Sequence, residues 1–290
     1  MGFLARNARR ALVIGAGALA ARAAMTAISR SSRADSLDRV NHHGGTVSLK
    51  EGPAAAVGAA TGAALGTEHP AHAAAALTAG LGAGAVGLYD DMVGHTPQHQ
   101  AKGLKGHLTA LVKGRVTSGA VKILGVGASG LAAAALVDAT RSRPVRGGRT
   151  GAVVNTLLGA AVIAGSANLL NLFDLRPGRA LKVAGTVAGP LSTDPGSSGG
   201  IAAGTLGAVG ALLPEDLDEQ TMLGDCGANA VGALVGLSLV ARSGPVVRGA
   251  ILTGVTALIL TSEKVSFTKV IAGNPVLRRL DEFGRKPRNP

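Results

Sequence analysis

The sequence predicts an all-α, polytopic transmembrane helical bundle of about nine to ten spans, and three observations carry that expectation. Of 290 residues, 47% are hydrophobic and only 16% charged, whereas a soluble domain carries about 25% charged residues. Mean hydropathy is +0.33, and the apolar residues come in long runs rather than in alternation. Glycine reaches 44 residues while aromatics make up 2%. Small residues, as in Gly200-Ile-Ala-Ala-Gly204 and Gly232-Ala-Leu-Val-Gly236, let helices pack closely in lipid. With no Trp and a single Tyr, no aromatic belt marks the interfaces.

The net charge of +12 fits an anionic membrane surface. Nucleic acid is excluded as a partner, because the cations are scattered between apolar runs and lack stacking aromatics. The lone cysteine, Cys226, excludes an intramolecular disulfide. Arg9-Arg10 ahead of an apolar run resembles an export signal but reads more simply as the start of a first span.

That span covers about 11 to 28 and holds Gly15-Ala-Gly17-Ala-Leu-Ala20, a partial dinucleotide fingerprint with Asp35 and Asp38 beyond it. The run is too long for a strand and no βα alternation follows, so that reading fails. Arg22 inside the span snorkels or meets a buried carboxylate. The polar loop 30 to 51 contains His42-His43, too few ligands for a metal site. Short Ala/Gly spans at about 53 to 67 and 72 to 88 flank Glu68-His69-Pro70. The third span ends in Asp90-Asp91, a pair that is costly at a membrane boundary unless solvated, cation-paired or metal-bound. The basic segment 101 to 116 suits an interface, and a fourth span at about 117 to 137 has Lys122 near its start.

The fifth span, about 151 to 172, delivers Asn168-Leu-Leu-Asn171-Leu-Phe-Asp174-Leu-Arg176-Pro-Gly178-Arg179. Asn168, Asn171 and Asp174 recur every third residue and share nearly one helix face. With Arg176, Arg179 and Lys182 following, this helix end suits a phosphate-bearing ligand and a divalent ion. Short sixth and seventh spans at about 180 to 192 and 199 to 213 lead through the acidic Pro214-Glu-Asp-Leu-Asp-Glu219 to Gly224-Asp225-Cys-Gly227. Asp225 reads either as a ligand contact between glycines or as a cap on the eighth span, about 227 to 241. A ninth span, about 245 to 261, closes a catalytic domain of 1–261 and leaves a basic tail, 262–290. Nine spans put the motif loops on one side with most of the Lys and Arg, which makes that side cytoplasmic; the arginine-rich loop 138 to 150 then breaks the rule.

Asp90-Asp91, Asn171-Leu-Phe-Asp174 and Gly224-Asp225-Cys-Gly227, each at the end of an apolar helix and in this order, resemble the polyprenyl-phosphate N-acetylhexosamine-1-phosphate transferases over roughly residues 30 to 240. The resemblance implies a Mg²⁺-dependent cell-membrane enzyme that moves a sugar 1-phosphate from a UDP-sugar to polyprenyl phosphate for cell-envelope glycan synthesis, releasing UMP. It implies that Asp91 and Asp225 contact metal or diphosphate and that Asp90 meets the acceptor phosphate as a base. Asn168, Asn171, Asp174, Arg176, Arg179 and Lys182 then bind substrate, and a homodimer is an expected assembly. The family commonly continues its third motif as Asp-Gly-x-Asp-Gly, whereas Pro177 stands here in place of the second acid. A His-rich motif of the peptidoglycan branch is also missing around Ser266-Phe-Thr-Lys269, which disfavours a pentapeptide-carrying donor. A transporter or lipid-handling protein, or an inactive relative acting as a scaffold, are the competing expectations.

Overall fold

The computed structural model describes residues 3–32, 34–40, 44–94, 117–142 and 145–286. The His42-His43 pair, Arg143 and the basic segment from Lys102 to Arg115 lie outside the described residues. Helices form at each of the nine expected places: α1 (Phe3–Ser29), α2 (Glu51–Gly66), α3 (Pro70–Val93), α4 (Ser118–Asp138), α5 (Gly148–Phe173), α6 (Arg179–Leu191), α7 (Gly196–Leu217), α8 (Gly224–Arg242) and α9 (Pro245–Ser262). Seven are long and apolar enough to cross a membrane. The other two, α2 and α6, have 16 and 13 residues, short of the roughly 20 that a bilayer requires.

The helix boundaries have local causes. Pro70 holds His69 extended, with φ −129° and ψ 133°, and the His69 ring accepts from Ala71 N–H at 3.1 Å, so α2 stops and α3 starts within four residues. Thr117 caps α4 by accepting from Ala120 N–H at 3.2 Å. Between α1 and α2, strands β1 (Asp38–Val40) and β2 (Thr46–Ser48) pair antiparallel, Asp38 opposite Ser48. The Ser48 carbonyl accepts from Met222 N–H at 2.9 Å, which ties the hairpin to the turn ahead of α8.

α8 is the axis of the bundle. It packs against α2, α3, α5 and α7, and its Val231, Leu234, Leu237 and Val240 are buried among Ile163, Ile201 and Leu212. The two glycine motifs are seams within the chain. A Cβ on Gly204 would strike the backbone of Gly62, and one on Gly200 that of Gly66, so α7 and α2 touch backbone to backbone. Gly232 and Gly236 serve α8 in the same way against Ser166, Ala167 and Ile163 of α5. α9 packs mainly on α5 and is otherwise outward-facing.

The tail, expected to be merely polar and basic, folds back as two short helices, α10 (Phe267–Gly273) and α11 (Pro275–Glu282). Asn274 caps α11 by accepting from Val276 and Leu277 N–H at 3.0 and 3.1 Å, and Pro275 pre-sets its first turn. Phe267 stacks on Phe173 with ring centroids 5.0 Å apart, seating the tail on the end of α5.

Candidate active site

The ends of α3 and α5 and the start of α8 meet at one end of the bundle. α8 begins without a cap of its own: Leu223 has no side-chain acceptor, and Gly224 stands at φ +61°. Its first free N–H groups are satisfied from α3 instead. Asp91 Oδ1 accepts from Asp225 N–H at 3.0 Å and Asp91 Oδ2 from Cys226 N–H at 2.9 Å. A Cβ on Gly224 would stand 3.0 and 3.2 Å from those carboxylate oxygens, so conformation and space both demand glycine there. Asp225, being relieved of capping, turns its carboxylate to Lys122 of α4.

Lys122 Nζ donates to Asp225 Oδ2 at 2.5 Å and to Asp90 Oδ2 at 2.7 Å. One ammonium is thus shared by carboxylates from two helices, with Asp91 beside them. The α5 end adds Asp174, whose carboxyl accepts from Gly224 N–H. Burial, then the neighbouring carboxylates of Asp216, Asp225 and Asp91, hold Asp174 well above the usual carboxylate range. Two further acids line the same end. Glu51, fully buried at the start of α2, accepts from Thr221 Oγ1 at 2.6 Å. Asp216, 3% exposed near the end of α7, accepts from Gly178 N–H. Among the described residues, Glu51 Oε1 and Asp216 Oδ2 are buried without a hydrogen-bond partner.

Asp90 and Asp225 turn hard oxygen atoms, the donor type that magnesium takes, toward one cation, the Lys122 ammonium. Among the described residues no group of three or more His, Cys, Asp or Glu side chains is arranged to hold a metal. Two protein carboxylates nevertheless match Mg²⁺, which takes one or two and completes its octahedron with phosphates and water. Of the pair expected at a metal, Asp225 shares the Lys122 ammonium with Asp90, and Asp91 has both oxygens bonded to N–H groups at the start of α8.

The basic residues after Asp174 are largely spoken for by the tail. Arg179, 4% exposed, donates through Nε and Nη2 to both oxygens of Asp281 at 2.7 and 2.9 Å, and through Nη1 to Thr268 at 2.9 Å. Lys182 Nζ donates to the carbonyls of Leu280, Asp281 and Phe283 at 3.2, 2.7 and 2.6 Å. Burial raises the Asp281 carboxyl, but Arg179 and Arg285 outweigh it and hold the group below its ordinary range. Arg176 is half-buried, its guanidinium with no hydrogen bond or ion pair among the described residues. Asn171 is half-buried and contributes its carbonyl to Asp174 N–H at 3.1 Å, while Asn168 is exposed.

Sequence reading noted Lys122 and the acidic stretch that holds Asp216 but gave neither a role at the site, and it assigned none to Glu51 or Asp281. Lys122 and Asp216 carried a signal, a charge inside or beside an apolar run. Glu51 and Asp281 sit in ordinary polar stretches, and only packing singles them out. What fold and site define is a helical, membrane-type protein with an acid-rich end joined to a basic one. Neither the protein-family models nor the curated proteins give a match to this chain.

Proposed function

We propose that this protein is a phosphoglycosyltransferase of the polyprenyl-phosphate N-acetylhexosamine-1-phosphate transferase type, with nine spans and its acid-rich end in the cytoplasm. The reading is carried by one observation: Asp90 and Asp91, Asp174, and Asp225, contributed by three helices far apart in sequence, converge at one end of the bundle. A polyprenyl phosphate oxygen attacks the β-phosphorus of a UDP-N-acetylhexosamine; that P–O bond forms, the bridging P–O bond breaks, and UMP leaves. Asp90 and Asp225 would hold a magnesium ion, which would supply charge neutralisation for the diphosphate and the leaving oxygen.

The chain's own residues set up the rest. Asp91 fixes α8 against α3, so the backbone of Asp225 cannot shift away from Asp90. Lys122 holds the two carboxylates in register and offers a positive charge to an incoming phosphate. Asp174, at the end of α5, brings a third helix to the same place, beside the first N–H of α8. Arg176 meets the donor phosphates. The acids sit at helix ends on one side, as phosphoryl transfer at a membrane surface requires, whereas a permeation route would place them at mid-span.

The test is release of UMP by purified protein in nanodiscs with polyprenyl phosphate, MgCl₂ and a panel of UDP-sugars. Release that depends on both lipid and magnesium supports the reading. No release with any donor, from protein shown to be folded, removes it.

A further inference from the structure

Asp281 occupies a position built for an anion. Its two oxygens lie across the fork of Arg179 at 2.7 and 2.9 Å, and Arg285 Nη2 adds a third contact at 2.9 Å. This is the bidentate geometry with which arginine grips a phosphate. Beside it lies a cavity of about 450 Å³ between the Asp174–Arg179 turn and the tail helices, a volume suited to a small ligand. Its walls carry Arg176, Arg179, Arg278, Arg285 and Lys286 against the acids Glu219, Asp281 and Glu282. The guanidinium groups of Arg176 and Arg278 have no hydrogen bond or ion pair among the described residues, so the cavity holds uncommitted positive charge.

The attachments of the tail differ along its length. The near end is seated by the stack of Phe267 on Phe173. The far end is held by polar bonds: Asp281 on Arg179, three carbonyls on Lys182, Arg285 Nε on the Pro177 carbonyl at 2.8 Å, and Lys286 Nζ on Asp218 at 3.2 Å. An anion that takes Arg179 breaks the first of these and weakens the rest.

We propose that the segment from Pro275 to Lys286 is a strap whose Asp281 carboxylate stands in for a ligand diphosphate on Arg179, and that such a ligand displaces it. Only the identity of the ligand as a nucleoside diphosphate rests on the proposed function. A tethered carboxylate has a high effective concentration, so it competes well against weak anions. A diphosphate carries more charge and also engages Arg176 and Arg278, which the single carboxylate leaves uncommitted. The strap therefore keeps the basic pocket shut to ordinary anions and yields to a diphosphate.

The full chain in phosphatidylcholine nanodiscs is digested with trypsin, with and without UDP or inorganic pyrophosphate, and cleavage after Arg278, Arg279 and Arg285 is followed by mass spectrometry. The diphosphates should speed these cuts several-fold, and Asp281→Asn should be cut at the fast rate without ligand and bind UDP several-fold more tightly than wild type. Fast cutting in phosphatidylglycerol nanodiscs without added diphosphate overturns the strap's selectivity for a diphosphate, because a singly charged phosphodiester would then displace Asp281. Slower or unchanged cutting with bound UDP overturns it, as does weaker or absent UDP binding by Asp281→Asn, because Asp281 would then be positioning Arg179 rather than competing for it. The two readings fail separately: diphosphate-triggered cutting without UMP release from any donor sinks the enzyme alone, and UMP release with ligand-independent cutting sinks the strap alone.

Discussion

The two ends of the bundle use buried charge in opposite ways. At the end away from the site, Asp138 closes α4 and accepts five hydrogen bonds, from Arg141 Nε, Asn155 Nδ2, Thr156 Oγ1 and both terminal nitrogens of Arg248, at 2.7 to 3.0 Å. Arg248, fully buried, also donates to the carbonyls of Asn155 and Val240 at 2.8 and 3.0 Å. Arg141 reaches the Ser243 carbonyl, and Arg10 the Asp194 carbonyl, so arginines there finish helix ends. One acid is surrounded by two cations and by donors. At the site end, one ammonium serves Asp90 and Asp225, further acids crowd behind them, and buried oxygens of Glu51 and Asp216 have no hydrogen-bond partner among the described residues. Charge that is balanced in place holds helices together; acids left in excess prepare a place for something the chain does not supply.

The sharpest way to break this contrast is Arg248→Met. It leaves Asp138 buried without its bidentate partner and should cost about 3–5 kcal/mol, read as a large fall in the thermal midpoint of the detergent-solubilised protein. An unchanged midpoint would mean that this end is not the structural one. Asp225→Asn should do the reverse, lowering UMP release by about 10²–10³-fold while the midpoint stays within error of wild type. If stability falls with activity, the acid cluster is another structural network. The smallest effect sharpens the comparison further. Lys122→Met removes the cation between Asp90 and Asp225, and millimolar MgCl₂ should then raise the melting temperature more than it does in wild type, with KCl at equal ionic strength giving no such rise. Equal responses to both salts in the variant would take the metal away from this pair.

The helices were legible because apolar runs and their polar breaks are properties of the sequence itself: Pro70, Thr117 and Pro245 mark helix starts wherever the rest of the chain lies. The glycine motifs were equally readable as close contacts, although only the fold assigns Gly200 and Gly204 to α2 and Gly232 and Gly236 to α5, which uses them within one chain. Asp90-Asp91 and Asp225 announced themselves as acids beside apolar runs. Their division of labour did not, since it depends on α8 lacking a cap and on which carboxylate stands nearest its first N–H groups. The role of Asp225 as a cap, a live alternative from spacing alone, passes to Asp91 for that reason.

Composition and order of residues by themselves determined a mainly helical chain of membrane type with acids gathered at helix ends, because burial of apolar runs and the cost of charge near lipid are local facts, whereas the short β1–β2 hairpin in the polar loop was not read. Tertiary structure alone decided who meets whom: Lys122 between Asp90 and Asp225, Glu51 and Asp216 behind them, and Asp281 folded onto Arg179 across roughly a hundred residues of chain. Pairing of that kind depends on which helix faces pack together, and no short window of sequence contains it.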